Sequence, residues 1–127
     1  MTMKTGQELI AEERVRQVNG EGWTAAHDDE HQRDGSLAMA ARCYEHEAEY
    51  QREGRPPAEE KPLGWPWGES WWKPHGGPVR LFTKAGALYR AEAARLNRMA
   101  GGLGAGAMFR CSDACAAKID ELQAEKI

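Results

Sequence analysis

The chain has 127 residues, enough for one domain with a single core, and a net charge of −3 built from charges of both signs. That balance lacks the basic excess of a general nucleic-acid or membrane-surface binder, no apolar run approaches the roughly 18–20 residues that span a bilayer, and the first residues lack the apolar stretch of a secretory leader. Three scattered cysteines, Cys43, Cys111 and Cys115, make no disulfide framework. A cytoplasmic protein with reduced thiols is expected, with neither membrane nor general nucleic-acid binding.

Thr5-Gly6-Gln7-Glu8 has the form of a capping box and predicts a first helix beginning there. Leu9, Ile10, Val15 and Val18 form its narrow apolar side, and Asn19-Gly20 is its expected stop. Thr24 then caps a short turn running through His27 to His31, and Asp34 is a good cap for the next helix. Leu37, Ala40, Ala41, Tyr44 and Ala48 recur at helical spacing, which predicts the second main helix over residues 35–52.

Residues 54–78 differ in kind. All six prolines lie between Pro56 and Pro78, which excludes a regular helix and disfavours a central strand. Four of the five tryptophans, Trp65, Trp67, Trp71 and Trp72, fall within eight residues of this stretch. Tryptophans bury large areas and hold an N–H that needs a partner, so their density predicts an ordered wall and not a tether. A third helix opens at Pro78 or Val79 with Leu81, Phe82, Ala85, Leu88, Tyr89, Leu96 and Met99 along one stripe. The glycine run 101–106 follows a helix and lacks the Lys-Ser/Thr pair of a phosphate loop, so it reads as a linker. A last helix is expected from Ser112 to Gln123 with Cys115, Ile119 and Leu122 inward.

The resulting expectation is an all-α, small helical bundle with a long Trp/Pro-rich loop between the second and third main helices. Residues 1–100 form a three-helix ligand-binding core closed at one end by that loop, and residues 101–127 add a linker and C-terminal helix to the same domain. Narrow apolar stripes on short helices suit a homodimer or larger assembly.

Three constellations carry chemistry. Trp23, Trp65, Trp67, Trp71 and Trp72 offer faces for a nucleobase, while Arg14, Arg16, Lys73, Arg80 and Lys84 offer phosphate contacts. Lys84, three residues after Leu81, is placed to run its stem along apolar surface and bring its ammonium to the loop. His27 and His31, one helical turn apart with Asp28 between them, have the spacing of a divalent-metal site; the plainer reading is that they cap the turn and pair with arginines such as Arg14. Glu13, Glu45, Glu49 and Glu92 are the acids that a magnesium-dependent pyrophosphohydrolase would gather. Glu47, Glu53, Glu59 and Glu60 read as solvated faces.

The pattern Glu13-Arg14 and Arg16-Gln17, then Glu21-Gly22-Trp23 with His27-Asp28-Asp29 and His31, then Trp65-Pro66-Trp67 with Trp71-Trp72-Lys73-Pro74, then Lys84-Ala85-Gly86-Ala87-Leu88 and Glu92, resembles a family of short phage and prophage proteins over residues 8–98. More distantly, its arrangement is similar to the MazG-like all-α nucleotide pyrophosphohydrolases. That superfamily pairs Glu-x-x-Glu on one helix with a second acidic pair on another. Here Glu45 and Glu49 stand four apart, and Arg95 occupies the place of the acid that would partner Glu92. The resemblance implies nucleotide binding, with sequestration of a host defence signal as the leading function, hydrolysis as the alternative, and a structural or protein-interaction module as the third reading.

Overall fold

Helix α1, Gly6–Glu21, starts at the expected capping box: Thr5 Oγ1 accepts from the Glu8 N–H at 3.2 Å, and the Glu8 carboxylate accepts from the Thr5 N–H at 3.1 Å. It outruns the Asn19-Gly20 stop. Gly20 stays helical, and the chain leaves the helix at Gly22, which takes the left-handed conformation (φ 73°) and donates its N–H to the Gln17 carbonyl. The buried face is Gly6, Ile10, Glu13 and Gln17, while Val15 points outward at 58% exposure. Of the expected apolar side, Ile10 is buried and Leu9 packs partly buried against the core, whereas Val15 does not, and the buried face is half polar.

The computed structural model describes residues 3–31 and 34–125, apart from the side chains of Glu30 and His31. After α1, Thr24 Oγ1 accepts from the His27 N–H and opens α2, Ala25–His31. Helix α3, Ser36–Arg52, is preceded by a left-handed Gly35 (φ 82°), so Asp34 sits one residue outside the expected cap position and holds the Ser36 N–H and hydroxyl from there. The loop that follows contains one short 3₁₀ turn, Glu69–Trp71.

Helix α4, Pro78–Met99, is the centre of the fold. Residues 81–89 are buried without interruption, so this helix presents no solvent face there, as expected of an element surrounded by others. It packs along α3 and α5, Ala105–Ala124, and more briefly on α1 and α2. Small residues make the close approach possible: a methyl on Gly86 would fall 2.3 Å from Ile10 Cδ1 of α1 and 3.4 Å from Cys115 Cβ of α5. Among the described residues the secondary structure is helical with no strand, and no helix is long and apolar enough to cross a membrane.

The last helix corrects the sequence reading. It begins at Ala105, seven residues before the expected Ser112, because Gly104 (φ 83°) completes the turn and Gly106 is already helical. Its Cys115, Ala116, Ile119 and Leu122 belong to the main cluster, and Ser112 donates its hydroxyl to the Gly86 carbonyl at 3.0 Å. The core is thus made by α1, α3, α4 and α5 together, where three helices were expected.

Helix α1 meets α5 at Gly6, whose N–H donates to Asp120 Oδ1 at 2.7 Å and whose missing methyl would lie 2.3 Å from the Ala116 carbonyl oxygen. Gly6→Ala is expected to destabilise the protein by about 1–3 kcal/mol through overpacking, read as a lower urea midpoint. Parental stability would show that the two backbones can move apart without loss.

Candidate functional site

A loop with five prolines is short of N–H groups and cannot build a ladder of its own, so its polar backbone is held from outside. Helix α3 does this with three side chains at positions i, i+3 and i+7. The Tyr44 hydroxyl donates to the Trp71 carbonyl and accepts from the Lys73 N–H, each at 3.2 Å. Glu47 accepts from the Ala58 N–H at 2.9 Å and from Gln51 Nε2 at 2.7 Å, and that same nitrogen donates to the Pro74 carbonyl at 2.8 Å. Glu47 is 7% exposed, which corrects its reading as a solvated carboxylate; Glu53, Glu59 and Glu60 are exposed as expected. Burial pushes the Tyr44 phenol up to about 12 despite the Lys73 N–H, so it stays neutral at physiological pH.

The tryptophans divide into two groups. Trp65 and Trp72 are core residues, 7% and 6% exposed. Trp72 lies stacked on Tyr44 with ring centroids 5.0 Å apart, Trp65 meets both edge-on at 5.3 and 5.0 Å, and the indole N–H groups donate to the Gly68 and Ala58 carbonyls. Trp67 continues the chain outward, 5.3 Å from Trp65 and 5.1 Å from Trp23. Trp71 stands 5.8 Å from Trp23 and is 42% exposed.

Those outer three rings line a cleft of about 110 Å³ whose other walls are Glu13, Arg16, Gln17 and Glu21 of α1, Tyr44 of α3, Lys73 of the loop, and Arg80, Lys84 and Leu88 of α4. Trp23, Trp67 and Trp71 also bound a 270 Å³ depression together with His27 and Gly68. Glu13, Arg16 and Arg80 also border a 350 Å³ groove. Of the ten residues expected to bind ligand, seven meet here: Arg16, Trp23, Trp67, Trp71, Lys73, Arg80 and Lys84. Trp65 and Trp72 are turned into the core. Arg14 is turned toward α2, donating to the Trp23 carbonyl at 3.1 Å and to the fully buried Asp28 at 3.0 Å, so it fixes the position of Trp23 from behind.

The electrostatics of the cleft are set by two buried groups. Glu13 is 3% exposed; burial pushes its carboxyl up, but hydrogen bonds from Arg16 at 2.7 Å and Arg80 at 2.7 Å more than offset this and hold it below the ordinary range. Lys84 has no such partner. Its ammonium donates to the Lys73 carbonyl at 3.0 Å and lies 5.2 Å above the Tyr44 ring, with no carboxylate of the described residues within 4 Å. Burial, joined by the charge of Arg80, lowers it to about 8. Glu13 opposes this shift without forming an ion pair with Lys84, and a buried ammonium lacking a direct carboxylate partner is a place where an anion gains more than it would in water.

Gln17 and Tyr44 were not picked out as site residues. The signal for Gln17 was its spacing of four from Glu13 and from Glu21, which puts all three on one line along α1. Gln17 is 2% exposed and its Oε1 has no hydrogen-bond partner among the described residues.

The four acids of the hydrolase reading are not brought together. Glu13 faces the cleft, whereas Glu45 and Glu49 lie with Arg42 and His46 along another surface of α3. Each is engaged: Glu45 accepts from the Tyr89 hydroxyl at 2.7 Å, Glu49 from Lys118 at 2.5 Å, and Glu92 is paired through both oxygens with Arg95 at 2.7 and 2.9 Å. In α2, Asp28 is committed to Arg14 and reaches His27 Nδ1 at 3.5 Å; burial raises its carboxyl although both neighbours oppose this. The side chain of His31 lies outside the described residues, so the His27–Asp28–His31 triad is not placed as a set. Among the described residues no group of three or more His, Cys, Asp or Glu is arranged to hold a metal ion.

The division of the tryptophans has a direct consequence. Trp72→Ala is expected to cost about 3–5 kcal/mol of stability, and Trp71→Ala, at a partly exposed position, less than about 1 kcal/mol, both read by urea unfolding. Equal losses would mean that the outer rings are as much core as the inner ones. No family model, curated protein or solved structure matches this chain.

Proposed function

We propose that the protein binds a nucleotide or a nucleotide-derived small molecule in the cytoplasm and holds it without turnover. What supports this reading is one juxtaposition: three tryptophan rings and four cationic side chains line one cleft, and one of the cations is the buried Lys84, with no carboxylate of the described residues within 4 Å. Tryptophan faces accept any base by stacking, and converging ammonium and guanidinium groups accept phosphate oxygens. The base belongs in the depression between Trp23, Trp67 and Trp71, and the phosphate in the cleft beside it. A chain resembling phage proteins that retains such a ligand acts by lowering its free concentration, a counter-defence role when the ligand is a host signal.

Hydrolysis draws less support, because the acids it would employ are spread over separate surfaces and paired with cations or a phenol. The decisive experiment incubates the protein with pooled linear and cyclic nucleotides, removes the unbound fraction, and identifies by mass spectrometry what heat denaturation releases. Intact nucleotide is the expected product. Recovery of a shortened nucleotide with free pyrophosphate establishes the enzyme instead, and recovery of nothing leaves the tryptophans as an architectural wall. With the recovered ligand, Trp71→Ala is expected to weaken binding by about 1–3 kcal/mol, the worth of one aromatic–base stack, with the melting temperature little changed.

A further inference from the structure

We infer that the cleft between α1, α4 and the loop is a subsite for a phosphate dianion, so that the protein distinguishes a terminal phosphomonoester from a phosphodiester; this rests on the nucleotide reading and narrows it. The argument is a charge balance. Arg16 is paired with Glu13 and Glu21, and Arg80 with Glu13, so two cations and two anions of the lining compensate one another. Lys73 and Lys84 remain. Among the described residues the Lys73 ammonium lies 5.8 Å from the Trp71 ring and Lys84 meets a carbonyl and the Tyr44 ring; neither has a carboxylate of those residues within 4 Å.

Two uncompensated positive charges on one small chamber call for two negative charges in it. A phosphomonoester carries about −1.5 to −2 near neutral pH, with its second ionisation at about 6. A phosphodiester carries a single charge and would match only one of the two ammoniums. The cleft, at about 110 Å³, matches one phosphoryl group with its nearest oxygens and not a whole nucleotide.

A second observation points independently to a ligand. Gln17 lines the same cleft, and its Oε1, which is closed off from solvent, has no hydrogen-bond partner among the described residues. An acceptor left unpaired there is satisfied when the amide turns toward the cleft and takes an N–H or O–H beside the phosphate, such as a sugar hydroxyl.

Lys84 makes the preference pH-dependent. The charged groups facing it are Glu13, Arg16 and Glu21 from α1, Lys73 from the loop and Arg80 from α4, with neutral Tyr44 from α3. Free Lys84 loses its proton near pH 8. A bound anion favours the protonated form, so binding takes up a proton above that pH and affinity falls as pH rises through about 8. It also falls as pH drops below about 6, where the phosphate becomes a monoanion.

The test is calorimetric titration of the whole chain with three probes at equal ionic strength: a nucleoside 5′-monophosphate, the 3′,5′-cyclic phosphate of the same nucleoside, and inorganic phosphate. The monophosphate is expected to bind about tenfold or more tightly than the cyclic ester, the difference made by one additional ion pair in a partly desolvated site, with a bell-shaped pH profile between about 6 and 8. Lys73→Ala, at an exposed position that does not endanger folding, is expected to bring the two affinities together, as is Lys84→Met. Gln17→Met is expected to weaken the monophosphate by about fivefold more than inorganic phosphate, the usual worth of one hydrogen bond. Equal affinities, or a preference for the cyclic ester, overturn the dianion subsite while the nucleotide reading stands. Binding of inorganic phosphate alone overturns the nucleotide reading and retains the subsite. If a cooperatively melting protein binds none of the three, both are wrong.

Discussion

The cleft depends on Tyr44. Its ring is the floor on which Trp72 stacks and over which the Lys84 ammonium sits, and its hydroxyl holds the loop backbone on both sides of Trp72, at the Trp71 carbonyl and the Lys73 N–H. One side chain of α3 thereby couples the core to the loop and the loop to the cation of α4. A phenol suits this position because it is neutral at physiological pH, buries a large apolar face, and still both donates and accepts at one oxygen. The backbone order of the loop follows from such side-chain partners, since its prolines remove the donors that a sheet or helix would use.

This arrangement explains why the tryptophans do not act alike. Trp65 and Trp72 sit where Tyr44 and the Ala58 and Gly68 carbonyls satisfy both ring faces and N–H groups, so their surface is consumed by the fold. Trp67, Trp23 and Trp71 are reached only at the end of that chain of ring contacts, and they keep partial exposure where the cleft opens. The inner pair is the foundation on which Trp67, and through it Trp23 and Trp71, is packed. Trp23 is held from behind as well, by Arg14, which is itself tied to the buried Asp28.

Helix α1 carries the expense of the site. Burying Glu13 and Gln17 in place of apolar residues forgoes hydrophobic stabilisation on that face, and the carboxylate is tolerable only because Arg16 and Arg80 converge on it. Stability is supplied elsewhere, by the continuously buried middle of α4 and its close approach to α5. The polar stripe and the apolar centre are therefore complementary: α4 turns one set of residues to the core and Arg80 and Lys84 to the cleft.

The local parts of this protein were written in its sequence. The capping box at Thr5, the Thr24 cap, the period of α3, the proline at the start of α4 and the exclusion of regular structure from the loop are each decided by residues within a few positions of one another, and so is the all-α class. The convergence of Arg16, Lys73, Arg80 and Lys84 beside three tryptophans was legible as residue types in a pattern. What residue type leaves open is direction. Arg14 and Arg16 are two apart on one helix, about 200° around its axis, and only the packing of α1 on α4 sends one toward α2 and the other toward the cleft. The same holds for Glu47, charged in sequence yet buried because a loop folds back over it, and for Val15, apolar yet exposed because the polar face of α1 is the one that meets α4. The glycine run ended as a tight turn because α5 had to return along α4. Caps, periods and breaks are short-range physics and belong to the sequence; which side of each helix becomes interior is set by the other helices, and that only the tertiary structure decided.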